Sequence, residues 1–331
     1  MFDVITIGTA TRDAFFEGIN FLKIKDSRFR VGEGIGLASG SKIEVPKITF
    51  TTGGVATNTA ATFSRQELKT AIICRVGSDV SGEEIIRALK KDKINTEFIQ
   101  KDKDTPTAYS VIFLTESGER TILSYKGAGE DLNEKEIPWK KLKTKWFYVG
   151  SLGGNEKLLR DIFAFAKKNR IKVAGNPGGR ELKILKAHPE LLNNYDVFIA
   201  NQEEASYLTG ISYQREKEVF KKLDWWINGV VVMTKGPKGL MVSDGATIWQ
   251  AGIFKEKRIV DRTGAGDAFG SGFVSGLIDR NNVEYAIYLG SANATSEVEI
   301  IGAKTGIINK KDFLKSPRWG KLEIKRFVQK S

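Results

Sequence analysis

One cysteine and one histidine in 331 residues exclude several common chemistries. Cys74 alone cannot close an internal disulfide or build a multi-cysteine zinc site. A Ser-His-Asp or Cys-His mechanism would hang on His188, which sits in Ala187-His188-Pro189-Glu190 with no nucleophile motif nearby. No run approaches the roughly 18 uninterrupted apolar residues of a membrane helix. The opening residues 1–13 lack a basic segment followed by a long apolar stretch, so no secretory signal is expected and a cytoplasmic, soluble protein is. Low hydrophobicity is absent too: 41% hydrophobic and 28% charged residues rule out a disordered or fibrous chain. Chemistry must then come from carboxylates, backbone amides, and lysine or arginine.

The charge is unbalanced, with 52 Lys+Arg against 40 Asp+Glu and a net +12. Such an excess can attract nucleic acid or anionic metabolites. Most basic residues, however, interleave with acids, as in 134–145 and 214–224, and read as solvated helix faces. Only 315–331 is one-sidedly basic, and it reads as a solvated tail. Nucleic acid is not expected as a partner, nor is a membrane.

Short apolar strands alternate with amphipathic helices, the pattern of an α/β fold with a largely parallel sheet. Strands are expected at 3–8, 70–77, 145–151, 171–176, 196–201 and 229–234. Ser81 and Glu84 have the spacing of a capping box opening a helix. Two segments break the alternation. Residues 14–52 carry no good helix, and 105–126 read as two strands around the turn Glu116-Ser117-Gly118-Glu119. Both suit a small β-rich lid inserted in one domain covering 1–331.

Four stretches could carry chemistry. In Asp261-Arg262-Thr263-Gly264-Ala265-Gly266-Asp267, after strand-like 257–260, three small residues open a helix whose free amides and dipole suit an anion such as phosphate. Asp267 is a carboxylate beside that anion site, an odd placement unless it takes a proton from an attacking hydroxyl. The same residues also read as a glycine-rich turn with an acid on the dipole. Gly53-Gly54 before a small-residue helix lets a ligand approach the backbone, and Asn58, one turn on, can aim its amide there, as sugar or ribose hydroxyls require. Tight helix–sheet packing is the plainer reading. Asn201 and Glu204 have capping-box spacing, yet also lie at the carboxyl end of a strand, where they could hold a hydrated magnesium. Thr234 and Gly236 could line a nucleotide or form a turn into the hairpin 240–249. Gly32, Gly34 and Gly36 follow charged residues rather than a strand and fail the dinucleotide context.

Residues 53–58 (Gly-Gly-Val-Ala-Thr-Asn), 201–204 (Asn-Gln-Glu-Glu), 234–239 (Thr-Lys-Gly-Pro-Lys-Gly) and 261–269 occur in the order seen in the ribokinase-like (PfkB) carbohydrate kinases, which the chain resembles over about 3–315. The resemblance implies a three-layer αβα core with a mainly parallel central sheet and a small β-sheet lid. It implies an ATP-dependent kinase phosphorylating a hydroxyl of a small sugar, or of a nucleoside in the alternative; a non-catalytic sugar- or nucleotide-binding protein is the reading from another class. By this resemblance Asp267 is the base and Gly264, Ala265 and Gly266 the anion hole. Asp13, Gly53, Gly54 and Asn58 match the acceptor site, while Asn201, Thr234, Gly236 and Asn293 match the nucleotide side. Glu204 would act on Mg2+ through water, and Asp261, Thr263 and Gly302 would hold a monovalent cation such as K+. A homodimer through the lid is implied. Two departures lie on the acceptor side: Thr11 replaces a usual asparagine, and the stretch from Asp13 to Gly53 is long. Phe15, Phe16 and Phe21 are candidates for an apolar wall against a base, or for lid core.

Overall fold

The computed structural model describes residues 1–29, 32–115 and 120–329. In chain order it begins with β1 (Phe2–Ile7), β2 (Thr11–Glu17), β3 (Leu22–Lys25), β4 (Glu33–Gly36), β5 (Lys47–Gly53), α1 (Val55–Arg65), β6 (Thr70–Ile73), β7 (Arg75–Gly77) and α2 (Val80–Lys91). It continues through β8 (Gln100–Asp102), β9 (Tyr109–Leu114), β10 (Arg120–Tyr125), β11 (Thr144–Val149), α3 (Glu156–Asn169), β12 (Lys172–Gly175), α4 (Gly179–Ala187), β13 (Val197–Asn201), α5 (Gln202–Thr209) and α6 (Glu216–Trp226). The last part holds β14 (Val230–Thr234), β15 (Leu240–Ser243), β16 (Thr247–Ala251), α7 (Ala265–Arg280), α8 (Val283–Glu297), α9 (Lys310–Lys315) and β17 (Ile324–Val328).

Nine strands form one sheet in the order β17-β16-β15-β14-β13-β12-β11-β1-β6. From β6 to β14 neighbours are parallel, and β15, β16 and β17 add antiparallel hairpins at one edge. The strands are apolar on both faces because both faces are covered. Ile5, Phe147, Val149, Val173, Phe198 and Val231 pack on one side, with residues of α3 to α6. Their chain neighbours Val4, Trp146, Tyr148, Ala174, Val197 and Val232 pack on the other, with Phe63 of α1, Phe269 and Phe273 of α7 and Ala286 of α8. This is the α/β architecture with a largely parallel sheet expected from the alternation, in the three layers that the resemblance implies.

A second sheet, β10-β9-β2-β5, stands apart as the lid. Its register places Asp13, Thr51 and Ser110 on one face with Phe15 and Ile112, and Arg12, Phe50, Val111 and Leu123 on the other. The lid begins at Thr11, three residues before the expected boundary at 14. The expected turn 116–119 lies outside the described residues.

Several local expectations are corrected. The helix α2 is capped by Asp79, whose side chain accepts from the Gly82 amide, and not by Ser81. The 70–77 stretch is two strands in two sheets, β6 and β7. Residues 257–260 form no strand; the amides of Val260 and Asp261 instead donate to the Val298 carbonyl, at 2.8 and 3.2 Å. The basic C-terminal stretch is no solvated tail. Its Trp319 is buried against Phe254, and β17 pairs along the whole of β16. Charged edge strands of this kind resist further pairing.

Candidate active site

The carboxyl ends of β1, β13 and β14, the lid strands β2 and β5, and the start of α7 converge on one cleft. α7 starts at Gly264, which has φ +80°; a Cβ there would sit 2.5 Å from that of Ala303. Only glycine adopts this conformation in this space. No side chain caps the helix, and the Ala265 amide makes only a long bond, 3.4 Å, to the Arg262 carbonyl, so the helix start can receive an anionic ligand. Asp267 lies in that first turn, and Asn58 Nδ2 donates to its Oδ2 at 2.8 Å. Burial pushes the Asp267 carboxyl up to about 6, and the Asn58 bond opposes that rise. A carboxylate held there is charged at neutral pH yet basic enough to accept a proton. The Tyr148 hydroxyl lies beneath this turn, buried and without a hydrogen-bond partner; burial and the Asp267 charge raise its pKa.

Asn58 is placed by α1, where its amide N–H donates to the Gly54 carbonyl at 3.0 Å. Across β5, a Cβ on Gly53 would lie 2.0 Å from Asp13 Oδ2, so the glycine is what allows the Asp13 carboxylate to lie over the loop. Burial raises Asp13 to about 6, against a hydrogen bond from Ser110 and the charge of Lys304. Asp13, Gly53, Gly54, Asn58 and Asp267 therefore form one continuous wall. Phe15 shares the Asp13 face of the lid, buried with Ile112 and Leu114. Phe16 and Phe21 do not: they pack on Phe113 on the other side.

Asn201 and Thr234 are register partners at the ends of β13 and β14. Asn201 and Glu204 realise the full capping box: the Glu204 amide donates to Asn201 Oδ1 at 2.9 Å, and the Asn201 amide to Glu204 Oε2 at 2.8 Å. Glu204 nonetheless lies near enough to Asp267 for their charges to interact. Burial raises its pKa, with smaller like-charge contributions from Glu203 and Asp267. Thr234 and Gly236 line a cavity of about 170 Å3 together with Ala265, Gly266, Phe269 and Thr295.

Asn293 is not in that cavity, a correction to the expected nucleotide-side role. It is fully buried, its Nδ2 donating to the Ala268 carbonyl at 2.8 Å and to Thr62 Oγ1 at 3.2 Å, and its Oδ1 accepting from the Ile308 amide at 3.0 Å. It ties α7 to α1 and to the 302–308 loop. Sequence reasoning missed Asn176, at the end of β12, whose Oδ1 is 4.0 Å from where a Gly266 Cβ would stand. Its position at a strand's carboxyl end was the available signal.

Asp261, Thr263 and Gly302 do come together. Asp261 Oδ1 accepts from the Thr263 amide at 2.9 Å and hydroxyl at 2.6 Å, and Oδ2 accepts from the Gly302 amide at 3.2 Å. Glu297, which sequence reasoning also missed, is buried beside them. Neither of its oxygens has a well-formed hydrogen bond, and burial pushes its carboxyl up to about 8.

The family model of the pfkB family carbohydrate kinases matches residues 27–310. A Haemophilus influenzae ribokinase is 28% identical over 277 residues, covering 79% of this chain and 86% of that protein. A Thermococcus kodakarensis cytidine kinase is 27% identical over 245 residues, 73% of this chain and 86% of that one. An Arabidopsis thaliana ribokinase, solved with ribose and ATP, superposes with a TM-score of 0.76 at 22% identity, over 95% of this chain and 98% of that one. The chain belongs to the pfkB family of carbohydrate kinases, enzymes that transfer a phosphoryl group to an alcohol.

Proposed function

We propose that this chain is an ATP-dependent kinase that phosphorylates a hydroxyl of a small sugar, with Asp267 as general base. One observation carries this reading: a carboxylate raised to about 6 in the first turn of an uncapped helix start, oriented by Asn58. An anion site needs no such group, whereas an attacking hydroxyl does.

In this reading the acceptor hydroxyls lie on Asp13, Asn58 and the Gly53-Gly54 backbone. Asp267 takes the proton of the attacking hydroxyl. The amides of Gly264, Ala265 and Gly266 hold the developing charge on the transferring phosphoryl, the largest usual contribution of preorganised donors. Thr234 and Gly236 border the nucleotide; Phe269 and Thr295 line its cavity in place of Asn293. Among the described residues no three His, Cys, Asp or Glu side chains cluster as a metal cage. That donor set fits Mg2+ carried in by the triphosphate and reached from Asn201 and Glu204 through water; such an ion would neutralise charge between phosphates. The buried Glu297 oxygens beside Asp261 fit a monovalent cation held also by Thr263 and Gly302. The lid's outer face, with Phe50 and Leu123 exposed, supports a lid-mediated homodimer. No helix among the described residues is long and apolar enough to cross a membrane.

The test is ADP release with Mg-ATP and KCl against pentoses, hexoses, keto-deoxy sugar acids, their phosphates and nucleosides. Asp267→Ala is expected to lower turnover by about 100-fold or more with an unchanged melting curve. Near-normal turnover in the folded variant would remove Asp267 from this role. Turnover confined to a nucleoside would establish the alternative acceptor class, which the named cytidine kinase relative keeps in play.

A further inference from the structure

Three polar side chains on the cavity beside Thr234 and Gly236 have no partner of their own. Ser291, on α8, is 4% exposed, and its hydroxyl is buried without a hydrogen bond. Glu256, in the segment between β16 and α7, is half-buried, and Arg262 is exposed; all three line the one cavity. Neither Glu256 nor Arg262 makes a side-chain hydrogen bond or an ion pair among the described residues, although they carry opposite charges. Buried hydroxyls in folded proteins are nearly always satisfied. An unmet hydroxyl and two unpaired charges of opposite sign on one concavity describe a ligand with three polar parts.

The chain fixes where each of them stands. Asp261 is buried and takes the Thr263 amide and hydroxyl, while the Arg262 carbonyl accepts from the Ala265 amide at 3.4 Å. This turn leaves the Arg262 side chain outward, two residues before Gly264, on the cavity wall it shares with Ala265 and Gly266. Glu256 stands between two anchored neighbours. Phe254 is buried against Trp319, and the Lys257 amide donates to Glu299 Oε1 at 2.5 Å. On α8, Ser291 and Thr295 are one turn apart and line the same cavity. Exposure rises in order from Ser291 through Glu256 to Arg262.

We propose that Glu256 accepts the ribose hydroxyls of the donor nucleotide and that Arg262 holds its phosphate oxygens, which makes Glu256 the residue that selects ribonucleotide donors. The assignment rests on the nucleotide reading of this cavity given above. A carboxylate only accepts hydrogen bonds, which suits a pair of sugar hydroxyls, and a guanidinium fork matches phosphate oxygens. The order of exposure is the order of the ligand's parts: base beside Ser291, ribose at Glu256, phosphates at Arg262 next to the start of α7. The reverse placement would set the Glu256 carboxylate against the phosphates, where like charges repel. The Ser291 hydroxyl both donates and accepts, so it meets the edge of a base without choosing among purines.

The test is calorimetric titration of the whole protein, without acceptor, with Mg-ATP and with the dideoxy analogue of Mg-ATP that lacks both ribose hydroxyls. The parent is expected to bind ATP about tenfold or more tightly than the analogue, the factor carried by hydrogen bonds to a charged group. Glu256→Ala should weaken ATP by about that factor and the analogue not at all, so that the preference disappears. Arg262→Gln should weaken both nucleotides about tenfold and keep the preference. Neither side chain has a partner to lose, so both variants should melt as the parent does. An Arg262→Gln protein that binds ATP as tightly as the parent overturns the phosphate assignment. A Glu256→Ala protein that weakens both nucleotides alike, or neither, overturns the ribose assignment. A parent that binds neither nucleotide overturns the nucleotide reading of the cavity itself, and so marks that failure apart from the other two.

Discussion

Replacing Asn58 by alanine removes one hydrogen bond from the carboxylate that we propose as base and leaves its burial intact. The Nδ2–Oδ2 distance is 2.8 Å, and the bond acts to lower an Asp267 pKa that burial raises to about 6. A hydrogen bond to a charged group contributes about 1.5–3 kcal/mol, and one pKa unit corresponds to about 1.4 kcal/mol. Discounting for water that fills the space left by the amide, Asn58→Ala should raise the Asp267 pKa by about one unit. A base must be ionised, so activity rises with pH through this pKa, and the acid limb should move from near 6 in the parent to about 7 in the variant. The assay is kcat/KM for the acceptor against pH, by coupled ADP release between pH 5 and 9. This ratio reports the groups of the free enzyme, the state in which the Asp267 carboxyl lies near 6. A limb unmoved in a variant with normal melting would show that Asp267 is not the group titrating, or that Asn58 does not hold it.

Gly53→Ala should raise acceptor KM at least about tenfold with little effect on ATP affinity, since a Cβ 2.0 Å from Asp13 Oδ2 must displace that carboxylate and its charged hydrogen bonds; initial rates against both substrates decide it. Burial holds the Glu297 carboxyl up at about 8 against its ordinary 4.5, so the folded state binds the extra proton and stability is lost as pH rises between those values. The contribution is up to about 1.4 kcal/mol per pH unit. Denaturant melts at pH 6 and 8 should show the decline, Glu297→Gln should flatten it, and KCl should reduce it in the parent; an equal decline in the variant would refute the assignment. Phe50→Glu with Leu123→Glu, at side chains 55% and 59% exposed on the outer lid face, should turn a dimer into a monomer in sedimentation; a parent protein that is already monomeric would refute lid pairing.

The start of α7 was legible because its parts are contiguous: 261–267 is a single helix start, and local chemistry decides its shape. The largely parallel sheet was legible for a similar reason, since each strand is a short apolar run between helices. The failures share a different cause. Asn293 and Asn58 are both asparagines in small-residue helices, and nothing local says that one amide points into the cleft while the other is enclosed by Ala268, Thr62 and Ile308. Burial of a polar side chain depends on what packs across from it. The basic C-terminal stretch misled because net charge outweighed Trp319 and the alternation of 324–328, which the β16 edge selects. At α2 the cap is two residues before the expected Ser81, and it is fixed from outside the helix by Thr107, which holds Asp79 through its amide at 2.7 Å and its hydroxyl at 2.6 Å.

The order of the large sheet also sets a timetable. From β11 onward every strand is laid beside the one made just before it, out to β17. As the chain leaves a ribosome, that half can grow by short loop closures at a single advancing edge. Only β1 must wait: Phe2 finds its partner at Thr144, so its place between β6 and β11 is the slow, long-range step. Asn58 and Asp267 are 209 residues apart, one on each side of that join. A newly made chain should therefore gain most of its sheet before it gains any competence for chemistry, and the β16 edge stays open until the last strand has been synthesised.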